Sequence, residues 1–315
     1  MPIATSHVVT QLQRSIARAI YGKEDVIQLA LITLLARGHL LIEDVPGTGK
    51  TTLAHALAKS FHCSFQRVQF TSDLLPGDVL GVSVYNPETR DFEYRHGPIF
   101  ANVVLADEIN RTTPRTQSAL LEAMNEAQVT IDGRTLPLPQ PFFVIATQNP
   151  VEHHGTYPLP ESQLDRFLMR IKMGYPSPET EREILRSRTA SDPMDSLEPV
   201  ANVSDVLAMQ EAVTRVKVDA SLLDYTLEIV NRTRKSDQLA LGVSPRGTLM
   251  LQRAAQARAY LENRDFCLPD DFKQLAVHVF SHRVVSSARV SSLQKKSETT
   301  ENILREIVES VRVPL

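Results

Sequence analysis

The sequence EDVPGTGKT, at positions 43–51, follows a short apolar run, HLLI at 39–42. It precedes a segment in which Leu53, Leu57 and Phe61 recur at helical spacing. The apolar run predicts a buried parallel strand, and the spacing predicts a helix. A strand, a glycine-containing loop and a helix in this order form the context in which a Gly-Lys-Thr string binds phosphate. The stretch therefore predicts an α/β fold with a phosphate-binding loop.

The loop residues also predict how phosphate would be held. Backbone N–H groups of the loop and of the helix N-terminus point at an anion, and the helix dipole favours negative charge there. Lys50 is predicted to reach the β- and γ-phosphates, and the Thr51 hydroxyl to ligate Mg²⁺. Asp44 stands where the usual GxxxxGK[ST] pattern has its first glycine. The alternative is a plain strand–turn–helix corner with a surface lysine. The predicted phosphate-binding residues are Val45, Pro46, Gly47, Thr48, Gly49, Lys50, Thr51 and Thr52.

A second apolar run, at residues 99–106, ends abruptly in Asp107 and Glu108. Open α/β sheets bind ligands at the carboxyl ends of their strands, and an unpaired charge there is costly without a cation. Asp107 is therefore predicted to hold Mg²⁺, directly or through water. Glu108 is predicted to polarise the attacking water. A helix cap at the end of a strand is the alternative reading of the pair.

Two further parts of the sequence could contact a nucleotide, but their residues alone do not decide whether they do. Asn149 follows a third apolar run, at 142–147, and its amide is suited to a γ-phosphate oxygen or to the attacking water. It is equally the kind of residue found in a turn before Pro150. Tyr21 and Gly22 lie in a loop shortly upstream of the phosphate loop and could cover an adenine base. An ordinary helix–helix turn explains them as well.

Two β-hairpins are predicted as insertions between the core elements. Residues 81–85 and 91–94 form the first, and residues 129–131 and 135–136 flank the Asp132-Gly133 turn signal of the second. Residues 74–78 are predicted to form a turn before the first hairpin. The first hairpin adds nothing to a nucleotide site, so we predict that it is a contact surface.

Composition narrows the class of protein. The 315 residues are 42% hydrophobic and 23% charged, as in ordinary soluble proteins, and a net charge of −3 disfavours nucleic acid as a partner. No apolar run approaches the length of a membrane span, and no signal pattern opens the chain. Cys63 and Cys267 are predicted to be reduced thiols, and the adjacent His153 and His154 to be loop residues rather than metal ligands. These features predict a cytoplasmic protein.

The region beyond the YPSP sequence at 175–178 changes from strand patterns to helical ones. We predict two domains, at residues 1–175 and 176–315. Leu223, Leu227 and Val230 are predicted to mark one helical stripe, and residues 286–300 to be looser before a short last helix. Arg246 falls in the first turn of a helix, where a nearby phosphate would suit a cation. The second region is therefore predicted to be a helical lid that aims one arginine at the nucleotide.

Five motifs together resemble the MoxR family of AAA+ ATPases. They are DVPGTGKT at 44–51, LADEINR at 105–111, ATQNP at 146–150, GTYPLPE at 155–161 with QLDRF at 163–167, and VSPRG at 243–247. The match runs over nearly the whole chain in family order. The resemblance implies an AAA+ P-loop NTPase: a parallel five-stranded core sheet with helices on both faces, two inserted β-hairpins and a C-terminal all-helical lid.

The resemblance also implies roles. By this resemblance, Lys50 and Thr51 correspond to the Walker A pair, and Asp107 and Glu108 to the Walker B pair. Asn149 corresponds to sensor 1, Arg166 to the arginine finger and Arg246 to sensor 2. For Arg111, the resemblance suggests a position that faces the neighbouring subunit. The hairpins match the helix-2 insert and the pre-sensor-1 insert. Mg²⁺ and ATP are expected between the α/β domain and the lid of one subunit, with Arg166 supplied by the next.

The implied function is a chaperone-like ATP hydrolase that matures other protein complexes or inserts their cofactors. It would form a hexameric ring and cooperate with a von Willebrand factor A domain protein. Three alternatives stay open: a magnesium-chelatase-like motor subunit, a DNA-associated motor, and a nucleotide-gated scaffold without turnover. DNA stimulation of the ATPase would favour the second, and binding without hydrolysis the third.

Overall fold

The structure, a computed structural model, describes residues 3–150, 155–187, 194–288 and 293–314. The helices are α1 (Ile3–Ala19), α2 (Glu24–Leu35), α3 (Lys50–Ser60), α4 (Pro76–Leu80), α5 (Pro114–Glu126), α6 (Glu161–Leu164), α7 (Pro178–Ser187), α8 (Val203–Thr214), α9 (Ala220–Lys235), α10 (Pro245–Leu261), α11 (Pro269–Phe280) and α12 (Leu293–Ser310), with a 3-10 turn at Ile109–Arg111. The strands are β1 (Leu40–Glu43), β2 (Phe65–Gln69), β3 (Gly81–Asn86), β4 (Asp91–His96), β5 (Val103–Asp107), β6 (Gln128–Ile131), β7 (Arg134–Pro137), β8 (Phe143–Gln148), β9 (Met169–Ile171), β10 (Leu239–Leu241) and β11 (Val285–Ser286).

Five parallel strands form the central sheet in the order β2-β5-β8-β1-β9, which confirms the predicted core. Neighbouring strands end level: Glu43 of β1 pairs with Gln148 of β8, and Gln69 of β2 pairs with Asp107 of β5. Because parallel strands share one carboxyl edge, the residues that follow β1, β5 and β8 meet there. We call the sheet boundary formed by the carboxyl ends of the strands the carboxyl edge, and the boundary formed by their amino ends the amino edge.

Alternate residues of the strands face two hydrophobic clusters. Leu40 and Ile42 belong to a cluster formed with α1, α2 and α3, whereas Leu41 belongs to one formed with α5. Helices therefore cover both faces of the sheet, as predicted. Each large aliphatic side chain buried in this way stabilises the fold by roughly 1.5–3 kcal/mol. The first cluster continues into α8–α12, so the sheet and the C-terminal helices share one core.

The C-terminal helices pack on β9, the last strand of the sheet. Arg170 of β9 is buried and forms ion pairs with Glu43 at 3.0 Å and with Glu301 of α12 at 3.1 Å. The helices thereby cover β9, an outermost strand of the sheet that would otherwise be open to pairing with another chain. The region is helical as predicted, with one addition, the short antiparallel pair of β10 and β11. The predicted domain boundary at 175/176 falls between β9 and α7 and stays a prediction.

Both predicted hairpins are present. Strand β3 pairs with β4, and β6 pairs with β7, each in antiparallel register. The Ser83 hydroxyl donates a hydrogen bond to the Asp132 carboxylate at 2.6 Å, which links the two hairpins. Val82, Tyr85 and Phe92 of the first hairpin are exposed large hydrophobic residues. The first hairpin thus presents an apolar surface.

One prediction beside the first hairpin was wrong. Residues 74–78 were expected to form a turn, but α4 begins at Pro76, a residue suited to a first helical position. The Asp78 carboxylate accepts the Leu75 N–H at 2.8 Å and so satisfies a donor at the helix start. The apolar run that begins at Ile99 enters the sheet only at Val103, the first residue of β5. The Ile99 N–H instead donates to the Val79 carbonyl at 3.2 Å, which ties this segment to α4.

The predicted face of α9 was also wrong. Leu223 and Leu227 are 38% and 47% exposed, and only Val230 of the predicted stripe is buried. The helix buries Leu222 and Ile229 instead. Apolar residues occur on both sides of this helix, so spacing alone did not decide which side faces the core.

The last helix is longer than predicted. Residues 286–300 were expected to be loose because they are polar, yet α12 begins at Leu293. Ser297 and Thr300 are buried, with the Ser297 hydroxyl donating to Glu43 at 3.3 Å and the Thr300 hydroxyl donating to the Ser297 carbonyl at 2.8 Å. These hydrogen bonds make polar side chains compatible with burial.

Two further findings concern the cysteines and the possibility of a membrane-spanning helix. Cys63 and Cys267 are free thiols, as predicted, and burial raises their pKa to about 11 and about 12. Throughout the described ranges, none of the helices combines the length and apolar character needed to cross a bilayer. His153 and His154 lie outside the described residues.

Candidate nucleotide-binding site

The phosphate loop connects β1 to α3 at the carboxyl edge. Gly47 and Gly49 have φ angles of 84° and 93°, a left-handed conformation that favours glycine. A Cβ atom at Gly47 would meet no atom within 4 Å, so its surroundings are open. Gly49 is the N-cap of α3, and no side chain caps this helix. The loop therefore offers a helix N-terminus beside open space, which fits a bound phosphate.

Lys50 points back along the loop. Its ammonium group donates to the carbonyl oxygens of Asp44 at 3.0 Å and Val45 at 2.7 Å. Burial lowers the pKa of Lys50, and the carboxylates of Asp44, Asp107 and Glu108 oppose that shift. The lysine thus carries its charge towards the two carboxylates that follow β5, and phosphate oxygens could replace its two carbonyl partners.

Asp44, where the phosphate-loop pattern normally has glycine, has a structural task that the sequence did not reveal. One carboxylate oxygen accepts the Val45 N–H at 2.8 Å. The other accepts the N–H groups of Met173 at 2.8 Å and Gly174 at 2.6 Å. Asp44 therefore fastens the phosphate loop to the segment that leaves β9 for the C-terminal helices. A glycine could not make this connection.

Asp107 and Glu108 lie at the end of β5, linked through Thr147 of β8. The Thr147 hydroxyl donates to Asp107 Oδ1 at 2.6 Å and accepts the Glu108 N–H at 2.8 Å. Glu108 has a φ of 57° and ψ of 48°, a left-handed conformation that is unusual for a residue with a side chain. Such strain is concentrated at functional sites. Thr147 thus fixes the Asp107 carboxylate and the backbone from which the Glu108 side chain projects.

Two side chains of β2, which sequence reasoning missed, hold the same carboxylates. Arg67 donates to Asp107 Oδ2 from Nε at 3.2 Å and from a terminal nitrogen at 2.7 Å. Gln69 donates to Glu108 at 2.8 Å. Strand β2 reads as a plain alternating strand, and its pairing with β5 in the sheet was the only signal that could have placed these residues in the site.

Arg111 also contacts Glu108, at 3.2 Å within the same chain. The sequence had suggested that Arg111 faces a neighbouring subunit. The structure shows this intramolecular ion pair, and a contact of Arg111 with a neighbouring subunit stays a prediction.

Most of the predicted phosphate and metal residues line one cavity of about 370 Å³, but Val45 and Thr48 do not. Its predicted members are Pro46, Gly47, Gly49, Lys50, Thr51, Thr52, Asp107, Glu108 and Asn149. The hydroxyl of Thr51 and the carboxylate of Asp107 are the oxygen ligands that Mg²⁺ prefers. These residues therefore fit a Mg²⁺-bound triphosphate.

A second cavity of about 220 Å³ adjoins the first across Gly47, Gly49 and Thr52. Tyr21, Thr48 and Lys23 also line it, together with Pro176 and Ile184 of the C-terminal region. Gly22 lies between two of these residues with a φ of 63°. A cavity beside the phosphate loop, partly walled by an aromatic ring, has the position expected for the base of a nucleotide.

Arg246 and Arg166 are not brought to this cavity. Arg246 donates to the side chain of Asn125, at the end of α5, at 2.6 Å, and it lies close enough to His39 to affect its pKa. His39 directly precedes β1, whereas Lys50 lies beyond the other end of that strand. A strand of four residues is roughly 13 Å long, so Arg246 sits at the amino edge. In this structure Arg246 therefore does not line the phosphate cavity of its own subunit, and its role towards a nucleotide stays a prediction.

Arg166 lies at the amino edge as well, just before β9. The neighbouring Asp165 carboxylate accepts the Ser244 hydroxyl at 3.3 Å and Arg283 Nε at 2.9 Å. These bonds hold the start of α10, and with it Arg246, against the residue next to Arg166. Within the described part of the chain, the Arg166 side chain has no hydrogen-bond or ion-pair partner. The structure thus groups the two arginines together and separates both from the phosphate loop.

His39 supports the amino edge from inside. Its imidazole contacts the Met124 carbonyl at 2.9 Å and accepts the Val144 N–H at 3.1 Å. Burial lowers the pKa of His39 to about 4, partly opposed by the hydrogen bond to Met124 and assisted by the charge of Arg246. The ring is therefore neutral at physiological pH, and it fixes the end of α5 that carries Asn125.

Comparison with known proteins agrees with this geometry. Residues 39–169 match the family described as "ATPase family associated with various cellular activities (AAA)", and residues 231–307 match the AAA lid domain. The chain is 53% identical over 302 residues to uncharacterized protein YeaC of Bacillus subtilis (strain 168), covering 95% of this chain and 93% of that protein. It is 41% identical over 291 residues to chaperone MoxR1 of Mycobacterium tuberculosis, covering 90% and 77%.

The crystal structure of a "putative ATPase" from Cytophaga hutchinsonii matches with a TM-score of 0.90 and 36% identity, covering 99% of this chain and 97% of that one. The likeness therefore extends over nearly the whole chain. The sequence motifs, the fold and these relatives agree, and the chain belongs to the MoxR family of AAA+ ATPases.

Proposed function

We propose that this protein is a Mg²⁺-dependent ATP hydrolase that remodels other proteins as a ring. The observation that carries the hydrolase is the cavity in which Lys50, Asp107 and Glu108 converge. The first comes from the phosphate loop after β1 and the others from the end of β5. Their convergence supplies the cation, the metal ligand and the base that phosphoryl transfer to water requires.

Each residue of the cavity has a proposed task. The loop amides and Lys50 hold the β- and γ-phosphates, and Thr51 and Asp107 hold Mg²⁺. When bound, Mg²⁺ neutralises negative charge that develops on the transferred phosphoryl group. Glu108 orients the attacking water and accepts its proton, and Asn149 donates a hydrogen bond to a γ-phosphate oxygen.

Arg166 and Arg246 are proposed to act on the nucleotide of an adjacent subunit. Both lie at the amino edge, so a neighbour whose carboxyl edge docks there would bring its triphosphate to them. Head-to-tail contacts of this kind close into rings, and we propose a homo-hexamer. Hydrolysis removes the γ-phosphate that the arginines contact, so the preferred arrangement of the subunits changes at each turnover.

We further propose that the work is chaperone-like: maturation of other protein complexes or insertion of their cofactors in the cytoplasm, together with a von Willebrand factor A domain protein. The relative named as a chaperone supports this role. The apolar first hairpin, with Tyr85 50% and Phe92 61% exposed, supports a contact with client proteins. We expect no nucleic acid, because the net charge is −3.

ATPase rate and native mass test the proposal in wild type, Lys50→Ala and Glu108→Gln, with and without DNA. We expect wild type to form a ring and hydrolyse ATP, Lys50→Ala to lose nucleotide binding, and Glu108→Gln to bind without hydrolysis. Stimulation by DNA of several-fold would favour the DNA-motor alternative. Full hydrolysis by Glu108→Gln would contradict the assigned base, and a monomeric, fully active protein would contradict the ring.

A further inference from the structure

Arg67 forms an ion pair with the carboxylate that the proposed function assigns to Mg²⁺. Its Nε and one terminal nitrogen both donate to Asp107 Oδ2, at 3.2 and 2.7 Å. The other oxygen, Oδ1, accepts the Thr147 hydroxyl at 2.6 Å. Both oxygens of Asp107 are thus engaged. A divalent cation held by Oδ2, directly or through a water, would have to replace the guanidinium.

The position of Arg67 makes such a replacement feasible. Its side chain is 49% exposed, whereas that of Asp107 is 12% exposed. Strand β2 is the first strand of the sheet, so Arg67 can turn outward without disturbing a neighbouring strand on that side. The Thr147 hydrogen bond would stay in place and keep the Asp107 carboxylate oriented.

The ion pair also connects to the proposed base. Arg67 donates to the Gln69 side-chain oxygen at 3.0 Å, and the Gln69 amide donates to Glu108 at 2.8 Å. A continuous series of contacts therefore runs from Asp107 through Arg67 and Gln69 to Glu108. Displacement of Arg67 leaves the Gln69 side-chain oxygen without this donor, so the Gln69 amide can reorient against Glu108, which Arg111 still contacts.

We propose that Arg67 is a positioning residue that occupies the cation's place on Asp107 and is displaced when Mg²⁺ and nucleotide bind. It neutralises Asp107 beforehand, so a buried carboxylate is never left without a positive partner. The Mg²⁺ affinity of the site is then set by competition with the guanidinium. The inference rests on the proposed role of Asp107 as a metal ligand.

Equilibrium binding of a fluorescent ADP analogue, titrated with Mg²⁺, tests this without turnover. Arg67→Met removes the charge and keeps the length of the side chain, and Arg67→Lys keeps a charge. We expect Arg67→Met to lower the half-saturating Mg²⁺ concentration roughly 3- to 10-fold, the value of one charge-assisted contact at a partly exposed site. Arg67→Lys is expected to fall between it and wild type. Nucleotide affinity in EDTA is expected to stay unchanged.

Controls separate this inference from the proposed function. Arg37→Met breaks an exposed ion pair with Glu211 outside the cavity and is expected to behave as wild type. Asp107→Asn is expected to abolish the Mg²⁺ dependence; if wild type itself shows none, the metal-ligand assignment fails whatever Arg67 does. An unchanged Mg²⁺ midpoint in Arg67→Met would overturn the inference, as would an equal loss of nucleotide affinity with and without Mg²⁺, since Arg67 would then be a phosphate ligand.

A measurement on wild type keeps the test valid if Arg67→Met does not fold. The side-chain Nε–H resonance of Arg67, assigned from its absence in Arg67→Lys, reports the ion pair directly. We expect it to shift when Mg²⁺ and ADP are added together and to stay in place when ADP is added with EDTA. A resonance unmoved by Mg²⁺ and ADP would show that the guanidinium is not displaced.

Discussion

The two edges of the central sheet differ in what they hold. The carboxyl edge gathers the phosphate loop, Lys50 and the carboxylates Asp107 and Glu108 around one cavity. The amino edge gathers Arg166 and Arg246 on either side of Asp165, with no phosphate loop beside them. The carboxyl edge has the phosphate loop without Arg166 and Arg246, and the amino edge has these two arginines without a phosphate loop.

Under the proposed function, this difference means that one subunit holds two complementary halves of a site, which face in opposite directions. A dimer made by rotating like edges together would leave the halves apart, whereas a head-to-tail contact joins them. Catalysis would then depend on assembly. Each of the following predictions either breaks one half or tests how the halves meet.

Arg166→Ala is expected to have the largest effect. An arginine supplied across an interface contributes about 10³–10⁵ to the rate of phosphoryl transfer. The variant should therefore lose at least roughly 10³ in ATPase rate, while native mass and nucleotide binding stay as in wild type. Arg215→Ala, at an arginine that is 77% exposed on the C-terminal helices, serves as the matched control.

Mixing experiments show which subunit supplies the arginine. Arg166→Ala subunits keep an intact phosphate loop, and Lys50→Ala subunits keep an intact Arg166, so each is inactive alone. In mixed rings, roughly a quarter of the interfaces pair a good loop with a good arginine, and activity should return to about that extent. Absence of recovery in rings shown to be mixed would mean that Arg166 acts within its own chain.

Glu108→Gln is expected to have the next largest effect. Removing a positioned general base costs roughly 10²–10⁴ in rate. Nucleotide should still bind, because Lys50 and the loop amides hold the phosphates. The control is Glu228→Gln, at a carboxylate that is 52% exposed on α9. A loss of binding that matches the loss of rate would reassign Glu108 to the nucleotide or its metal.

The two edges were not equally predictable from the sequence. Motif spacing placed Lys50, Asp107 and Asn149 in one cavity, because a strand, its loop and the next helix are contiguous and parallel strands share an edge. Arg67 was missed because its contact with Asp107 arises from the pairing of β2 with β5. The two residues are 40 positions apart in the sequence. The place of Arg246 at the amino edge was not predicted, because motif order does not say where the start of α10 lies relative to the strands.

Arg246→Ala tests whether this arginine of the amino edge acts on the nucleotide of a neighbouring subunit. If this arginine stabilises charge on a neighbour's phosphate, its loss should lower the rate of assembled rings by roughly 10². Asn125→Ala removes only the 2.6 Å contact within the chain and should leave the rate near that of wild type. Equal losses in both variants would mean that the bond between α10 and α5, rather than a phosphate contact, is what matters.

The smallest expected effect is the acid sensitivity of the amino edge, which arises from His39. Burial lowers its pKa to about 4, below the ordinary value of 6.5, so the folded state stays unprotonated at pH values where the unfolded state binds a proton. Stability is therefore lost as pH falls from about 6.5 towards 4, and His39 alone should remove on the order of 1 kcal/mol from the free energy of unfolding between pH 8 and 5.5.

Denaturant unfolding of wild type and His39→Gln at several pH values measures this contribution. Glutamine can both accept the Val144 N–H and donate to the Met124 carbonyl, and it does not titrate. Its unfolding free energy should therefore fall less steeply than that of wild type below pH 6.5. His62→Gln, at an exposed imidazole, is the matched control and should keep the wild-type steepness. Equal pH dependence in wild type and His39→Gln would mean that the end of α5 yields and lets the ring take up a proton, so that Asn125 and Arg246 are not rigidly held.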